Sequence, residues 1–266
     1  MLAGILASLS RPPEGFRAPG TEIFDYTDSC IIGSGNYCVT RISFWMLMSA
    51  VIIGAVFIVA FRKPTIVPRG IQNAVESLVD FIRNGIVMEV IGKEGLPFLP
   101  FLTSLFVFIW VNNLYGIIPG INFPTTARMA IPMFLAILVW FVFNIVGIVK
   151  QGGLTYIKNT LFIPGVPPAL YILVTPIEFV TVFIVRPLTL AVRLTANMIA
   201  GHLMLTIFFV GTWYLQWKLM TIPIAAVSFA LGTAITAFEV LVGVLQAYIF
   251  TILTAVYIAG ALHPEH

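Results

Sequence analysis

The sequence predicts an all-α polytopic membrane protein, and three observations carry that reading. Of the 266 residues 59% are hydrophobic and only 9% charged, with a mean hydropathy of +1.02, far above a soluble domain. Five apolar runs are each long enough to cross a hydrocarbon core that takes about 20 helical residues. No Gly/Ser-rich or charged linker interrupts them, so residues 42–266 are expected to form a single membrane domain behind an N-terminal tail.

Met1–Arg41 is that tail, polar and Pro/Gly-bearing, and it is placed on the extracytoplasmic side by the charge pattern below. Met1–Leu9 is apolar but short and lacks a basic flank, so no cleaved signal peptide is expected. Cys30 and Cys38 flank Gly33-Ser34-Gly35-Asn36, a turn-rich spacer that allows either a disulfide or two free thiols. Ile42–Phe61 is the first crossing. Gly70–Gly92 follows, with Ile71, Ala74, Val75, Leu78, Val79, Ile82 and Ile86 at helical spacing and Gln72, Glu76, Asp80 and Arg83 on the other side. It predicts an amphipathic helix lying in the membrane interface.

Phe98–Ile118 is the second crossing; Asn112 and Asn113 near its end suit interhelical hydrogen bonding or a channel lining alike. Met129–Val149 is the third, stopped by Lys150-Gln151-Gly152-Gly153, and Leu154–Pro168 reads as a Pro/Gly-bearing connector with little charge. Ala169–Trp213 and Met220–Leu262 then run on without a polar turn. As single helices each is roughly 60 Å long, twice the ~30 Å core, which predicts two strongly tilted helices forming a hairpin. Seven Lys or Arg in the connectors after the first and third crossings, against five on the other side, predict the N-terminus outside and the C-terminus inside.

Charged groups inside the long runs are few. An Arg at mid-membrane costs roughly 2.5–3.5 kcal/mol on insertion scales, so Arg193 calls for a reason. Arg193 and Asn197 are one helical turn apart, and Arg186 lies seven residues earlier on nearly the same face. With Arg193 set opposite Gln246, an antiparallel pair keeps a constant sum of residue numbers, 439. His202 and Glu239 sum to 441, within about half a turn of facing. Glu178 lies fifteen residues to the other side of Arg193. The order is an acid/His cluster, a fixed cation and a further acid, which suits proton or ion handling. Each has a plainer alternative: Arg193 as structural glue, Arg186 snorkelling to an interface, His202 and Glu239 as a static hydrogen-bonded pair, Asn197 and Gln246 as helix contacts, and Glu178 as an exposed terminal acid.

The run Arg193-Leu194-Thr195-Ala196-Asn197-Met198-Ile199-Ala200-Gly201-His202 resembles the signature of subunit a of the rotary ATP synthase membrane sector. The resemblance continues through Asn112-Asn113-Leu114-Tyr115-Gly116-Ile117-Ile118-Pro119 and Leu245-Gln246-Ala247-Tyr248-Ile249-Phe250, in the family's order, over roughly residues 65–262. It implies a proton-conducting stator subunit that works against a rotor ring of subunit c, beside the peripheral stalk subunit b, in a lipid bilayer. Arg193 matches the Arg that takes part in proton release from the rotor carboxylate and blocks a leak. Asn197, His202, Glu239 and Gln246 match positions of the outer half-channel, and Glu178 an inner-side acid. Some members of the family carry Glu where His202 stands and His where Glu239 stands. The tail and Val67–Glu94 resemble bacterial members more than mitochondrial ones, implying a bacterial plasma membrane, with the mitochondrial inner membrane as the second setting.

Other classes find little support in the residues. There is no Gly-x-x-x-x-Gly-Lys-Ser/Thr loop, no metal-spaced His/Cys cluster and no nucleophile elbow, so no enzyme activity, cofactor or metal is expected of the chain alone. A net charge of +3 without a basic, aromatic-interleaved run argues against nucleic acid. The alternative function is a secondary transporter binding an anionic solute through Arg193, a class that often shows inverted repeats; none is seen here.

Overall fold

The computed structural model describes residues 20, 30–32, 39–62, 65–118, 125–162, 170–217 and 219–263. Among them the chain is overwhelmingly helical, and five stretches are long and apolar enough to cross a membrane: Ile42–Phe61, Lys93–Leu114, Ala130–Gln151, Tyr171–Leu215 and Ile222–Leu262. The polytopic all-α class therefore stands. Two short strands add to it, β1 (Cys30–Ile32) and β2 (Val39–Thr40), antiparallel with Cys30 opposite Thr40. Most of the tail, and with Cys38 the question of a disulfide, falls outside the described residues.

Helix α1 (Arg41–Phe61) starts where the Thr40 hydroxyl accepts from the Ser43 N–H at 3.4 Å. Such a cap satisfies one of the amides that a helix start leaves without a partner. Most of α1 faces outward, Val51 and Ile58 among the exposed residues, as expected of a helix meant for lipid on most sides.

Helix α2 (Ile71–Ile82) runs on as a π-helical stretch, Arg83–Ile91. Its limits match the amphipathic helix expected at 70–92, but its apolar side does more than rest on an interface. Ile82, Ile86 and Val87 are completely buried and join the main core with Leu102, Ile109 and Phe250. Phe81 and Met88 are left on the outside.

Helix α3 (Leu99–Leu114) is preceded by a 3₁₀ stretch, Lys93–Phe98, and ends four residues before Ile118. The chain leaves it in a turn in which the Ile117 and Ile118 amides both donate to the Leu114 carbonyl. Asn112 and Asn113 anchor this turn from full burial. Asn112 Nδ2 donates to Ser49 Oγ of α1 at 3.1 Å, and Thr125 Oγ1 donates to Asn112 Oδ1 at 2.8 Å. Asn113 Nδ2 donates to the Gly243 carbonyl at 3.1 Å, and Thr126 Oγ1 donates to Asn113 Oδ1 at 2.9 Å. A Cβ at Gly243 would stand 3.4 Å from that of Asn113, so the small residue sets how closely the helices approach. Both asparagines are thus interhelical ties. Asn113→Ala removes two such bonds; membrane interhelical bonds average about 0.6 kcal/mol and reach about 1.7. The expected loss is about 1–2 kcal/mol, read as a lowered Tm of the detergent-solubilised protein. An unchanged Tm would show that the ties are idle.

Helix α4 (Ala130–Gln151) ends at Gly152, whose φ of +85° turns the chain into helix α5 (Gly153–Leu161). This helix takes up the first half of the connector that begins at Leu154. The connector's prolines all lie beyond Leu161, so nothing local prevents a helix. Tyr156 locks it down: the ring is buried and its hydroxyl donates to Asn144 Oδ1 of α4 at 3.2 Å. Burial holds that hydroxyl above its ordinary pKa, against smaller opposing pulls from Thr160 and the Arg186 charge.

Helix α6 spans Tyr171–Leu215 and helix α7 Ile222–Leu262, 45 and 41 residues. At 1.5 Å per residue these are roughly 60–67 Å long, so the expectation of two uninterrupted long helices holds. Their link, Gln216–Thr221, lies slightly later than the predicted Tyr214–Lys218. Helix α6 widens to a π-helix at Thr181–Val185, where the Arg186 amide donates five residues back to Thr181. The stretch sits between Pro176 and Pro187. Each proline lacks an N–H and leaves a carbonyl four residues earlier without its α-helical donor, which favours such a change of pitch.

Candidate functional site

The site is built on the antiparallel contact of α6 and α7, and small residues set its register. A Cβ at Gly211 would lie 3.6 Å from Ser228 Oγ, and one at Gly232 would lie 3.4 Å from Phe208 Cβ. One at Gly201 would lie 2.6 Å from Glu239 Oε1 and 2.9 Å from its Cδ. These pairs sum to 439, 440 and 440, the register expected from Arg193 and Gln246. Ser228 Oγ also donates to the Phe208 carbonyl at 3.0 Å and ties the two helices near their link.

That register brings His202 and Glu239 to one height, both buried, but not into a hydrogen bond. Gly201 faces Glu239, so His202, one residue on and about 100° round the helix, turns toward the end of α3, where it meets the Gly116 backbone. Neither carboxylate oxygen of Glu239 has a hydrogen-bond partner among the described residues. The plainer alternative of a static hydrogen-bonded pair is therefore not what forms; the two are buried at one height without a bond between them. A buried acid whose charge no protein donor offsets is costly, which makes Glu239 a candidate functional residue.

Arg193 stands exposed on α6, without a carboxylate partner among the described residues. Val192 next to it in the chain is also exposed, as are Leu241 and Leu245 of α7, so a permanent cation projects from a helix pair that leaves large apolar side chains uncovered. Gln246 is level with it by register but buried, its Nε2 without a partner among the described residues, and no hydrogen bond joins the two. Asn197, one turn on, is half-buried.

At the other end of α6 the two charged groups, each read separately in the sequence, meet: Arg186 Nη2 lies 3.7 Å from Glu178 Oε1, both side chains a third exposed or less. The guanidinium also sits 5.2 Å over the Tyr257 ring of α7. On a straight α-helix, eight residues leave Glu178 and Arg186 about 80° apart. Five residues at a π pitch of roughly 4.4 per turn reduce this to about 10°. Sequence spacing alone could not show this, and Tyr257 was not singled out at all. The pair opens on a cleft of about 740 Å³ whose lining includes Tyr156, Lys158, Tyr257 and His263.

Along α6 the polar groups thus come as the Glu178–Arg186 pair, then Arg193, unpaired among the described residues, then His202 with Glu239 from α7. Residues 43–259 match the family model described as ATP synthase A chain. The chain is 43% identical over 257 residues to an ATP synthase subunit a of Rhodococcus erythropolis, covering 94% of this chain and 92% of that one. It is 44% identical over 252 residues to that of a Parafrankia species, covering 94% and 85%. To that of Hyphomonas neptunium it is 42% identical over 236 residues, covering 88% and 91%.

Proposed function

Because the chain belongs to the ATP synthase A chain family, we propose that it is the proton-conducting stator subunit of an F-type ATP synthase, in a bacterial plasma membrane. It supplies two half-channels to a rotor ring of subunit c and is held by the peripheral stalk subunit b. It hydrolyses and makes no nucleotide itself; it is a membrane-sector subunit that couples proton flow to rotation. The observation that carries this reading is the uncovered Arg193, set between two polar clusters at different heights of one helix.

The chemistry follows from charge in a low dielectric. A rotor carboxylate can enter lipid only as the neutral acid. When it reaches Arg193 it loses its proton, because the fixed guanidinium stabilises the carboxylate. The released proton leaves by the path through Glu178, and a proton from the outer side, by way of Asn197, His202, Glu239 and Gln246, reloads the next acid. Arg stays charged at any physiological pH, so the cation repels a proton trying to pass directly between the paths.

The test is reconstitution of the purified chain in vesicles, with and without a ring of small two-helix subunits carrying one buried carboxylate each. Proton flux is expected only when both are present, together with stable co-purification. Uptake of an anionic solute by the chain alone, with no ring bound, would replace this reading with the secondary transporter.

A further inference from the structure

We propose that Arg186 is a positioning residue of the inner proton path, holding the Glu178 carboxylate at the cleft while the Tyr257 ring holds Arg186. This rests on the reading above that Glu178 lies on that path. Two arginines sit seven residues apart on one helix, yet their surroundings differ. Arg193 has no anion among the described residues, whereas Arg186 has a carboxylate at 3.7 Å and an aromatic face at 5.2 Å.

The ion-pair distance decides between a lock and a guide. A charge-assisted hydrogen bond closes to about 2.7–2.9 Å, and at 3.7 Å the Glu178 oxygen is steered by charge without being tied up. It is left open to accept a proton. Water brings one proton from the rotor side to a Glu178 oxygen, which becomes the neutral acid. The acid then gives that proton to inner water and is a carboxylate again; no electron moves. While Glu178 is neutral, Arg186 loses its anion, and the Tyr257 ring keeps the cation in place by a contact that does not depend on Glu178.

The π stretch Thr181–Val185 belongs to the same device, since without it acid and cation would diverge on the helix. The titratable and charged groups facing the pair across the cleft are Tyr156 and Lys158 of α5, Tyr171 of α6, and Tyr257 and His263 at the end of α7.

The experiment measures proton pumping by the full complex in vesicles while the inner-side proton concentration is varied. Glu178→Gln and Arg186→Gln should each lower maximal flux about tenfold, and the double variant should be no worse than Glu178→Gln alone. Arg186→Gln should also move the half-maximal inner proton concentration by about threefold or more, in a His263→Gln background as well as in the parent. Tyr257→Leu should lose about fivefold, and Tyr257→Phe, which restores the ring, should recover part of that loss. Should Arg186→Gln fail to assemble, Arg186→Lys and the two Tyr257 variants carry the test, with Lys recovering part of the flux.

Multiplicative losses, or an unchanged half-maximal concentration beside a lowered maximum, overturn the proposal, because Arg186 would then be structural only. Parental flux in Glu178→Gln overturns it too, and removes Glu178 from the path. It leaves the role of Arg193, which is tested by its own variant, untouched.

Discussion

Arg193→Ala is expected to abolish ATP-driven proton pumping in vesicles while the complex still assembles. Assembly should survive because Arg193 is exposed and makes no ion pair among the described residues, so truncation strips no packing from this chain. The loss should be complete because no other cation can take its place. Arg186, the neighbouring candidate, is engaged with Glu178 and Tyr257. Arg193→Lys should recover little: an ammonium keeps the charge but lacks the planar fork that meets a carboxylate with two hydrogen bonds. Pumping at the parental rate by an assembled Arg193→Ala complex would sink the role proposed for it.

The second large effect is expected at a residue with no functional group. Gly201→Ala places a methyl 2.6 Å from Glu239 Oε1 and 2.9 Å from its Cδ, so the carboxylate must swing away or the helices must part. A swing is the lesser cost, since only the end of a flexible side chain moves, and assembly should persist. Proton flux should fall about tenfold, and further in Gly201→Val, whose two γ-methyls block the swing. The diagnostic comparison is the double variant. In a Glu239→Gln background that already lacks the acid, Gly201→Ala should lower flux little further. Equal losses in both backgrounds would mean that Gly201 serves packing alone and that Glu239 is not the group it protects.

The residues that carry these predictions were unequally legible in the sequence. Arg193 announced itself, because an Arg inside an apolar run is costly wherever the chain goes. The height of Glu239 was also legible: in an antiparallel hairpin of two unbroken helices one pairing fixes all the others, and the glycine contacts at 201, 211 and 232 keep that sum. What the pairing could not give was rotation. It set His202 toward Glu239, whereas the close contact belongs to Gly201, and one residue of offset turns the imidazole about 100° toward Gly116.

By itself, then, the sequence determined the class, the five crossings, the unbroken length of the last two helices and their register. These follow from hydropathy summed over many residues and from a rise per residue that hardly varies. Only the tertiary structure decided the rest. It folded residues 153–161 into α5, because Tyr156 finds Asn144 on the preceding helix. It made ties of Asn112 and Asn113, because Ser49 and Gly243 come from helices distant in sequence. It brought Glu178 onto the face of Arg186 through one π-helical stretch. Such outcomes depend on which neighbour meets a side chain and on how many residues each turn holds. Neither is a local property of the chain, since a shift of one hydrogen-bond register rotates every later residue of a helix without changing a letter of its sequence.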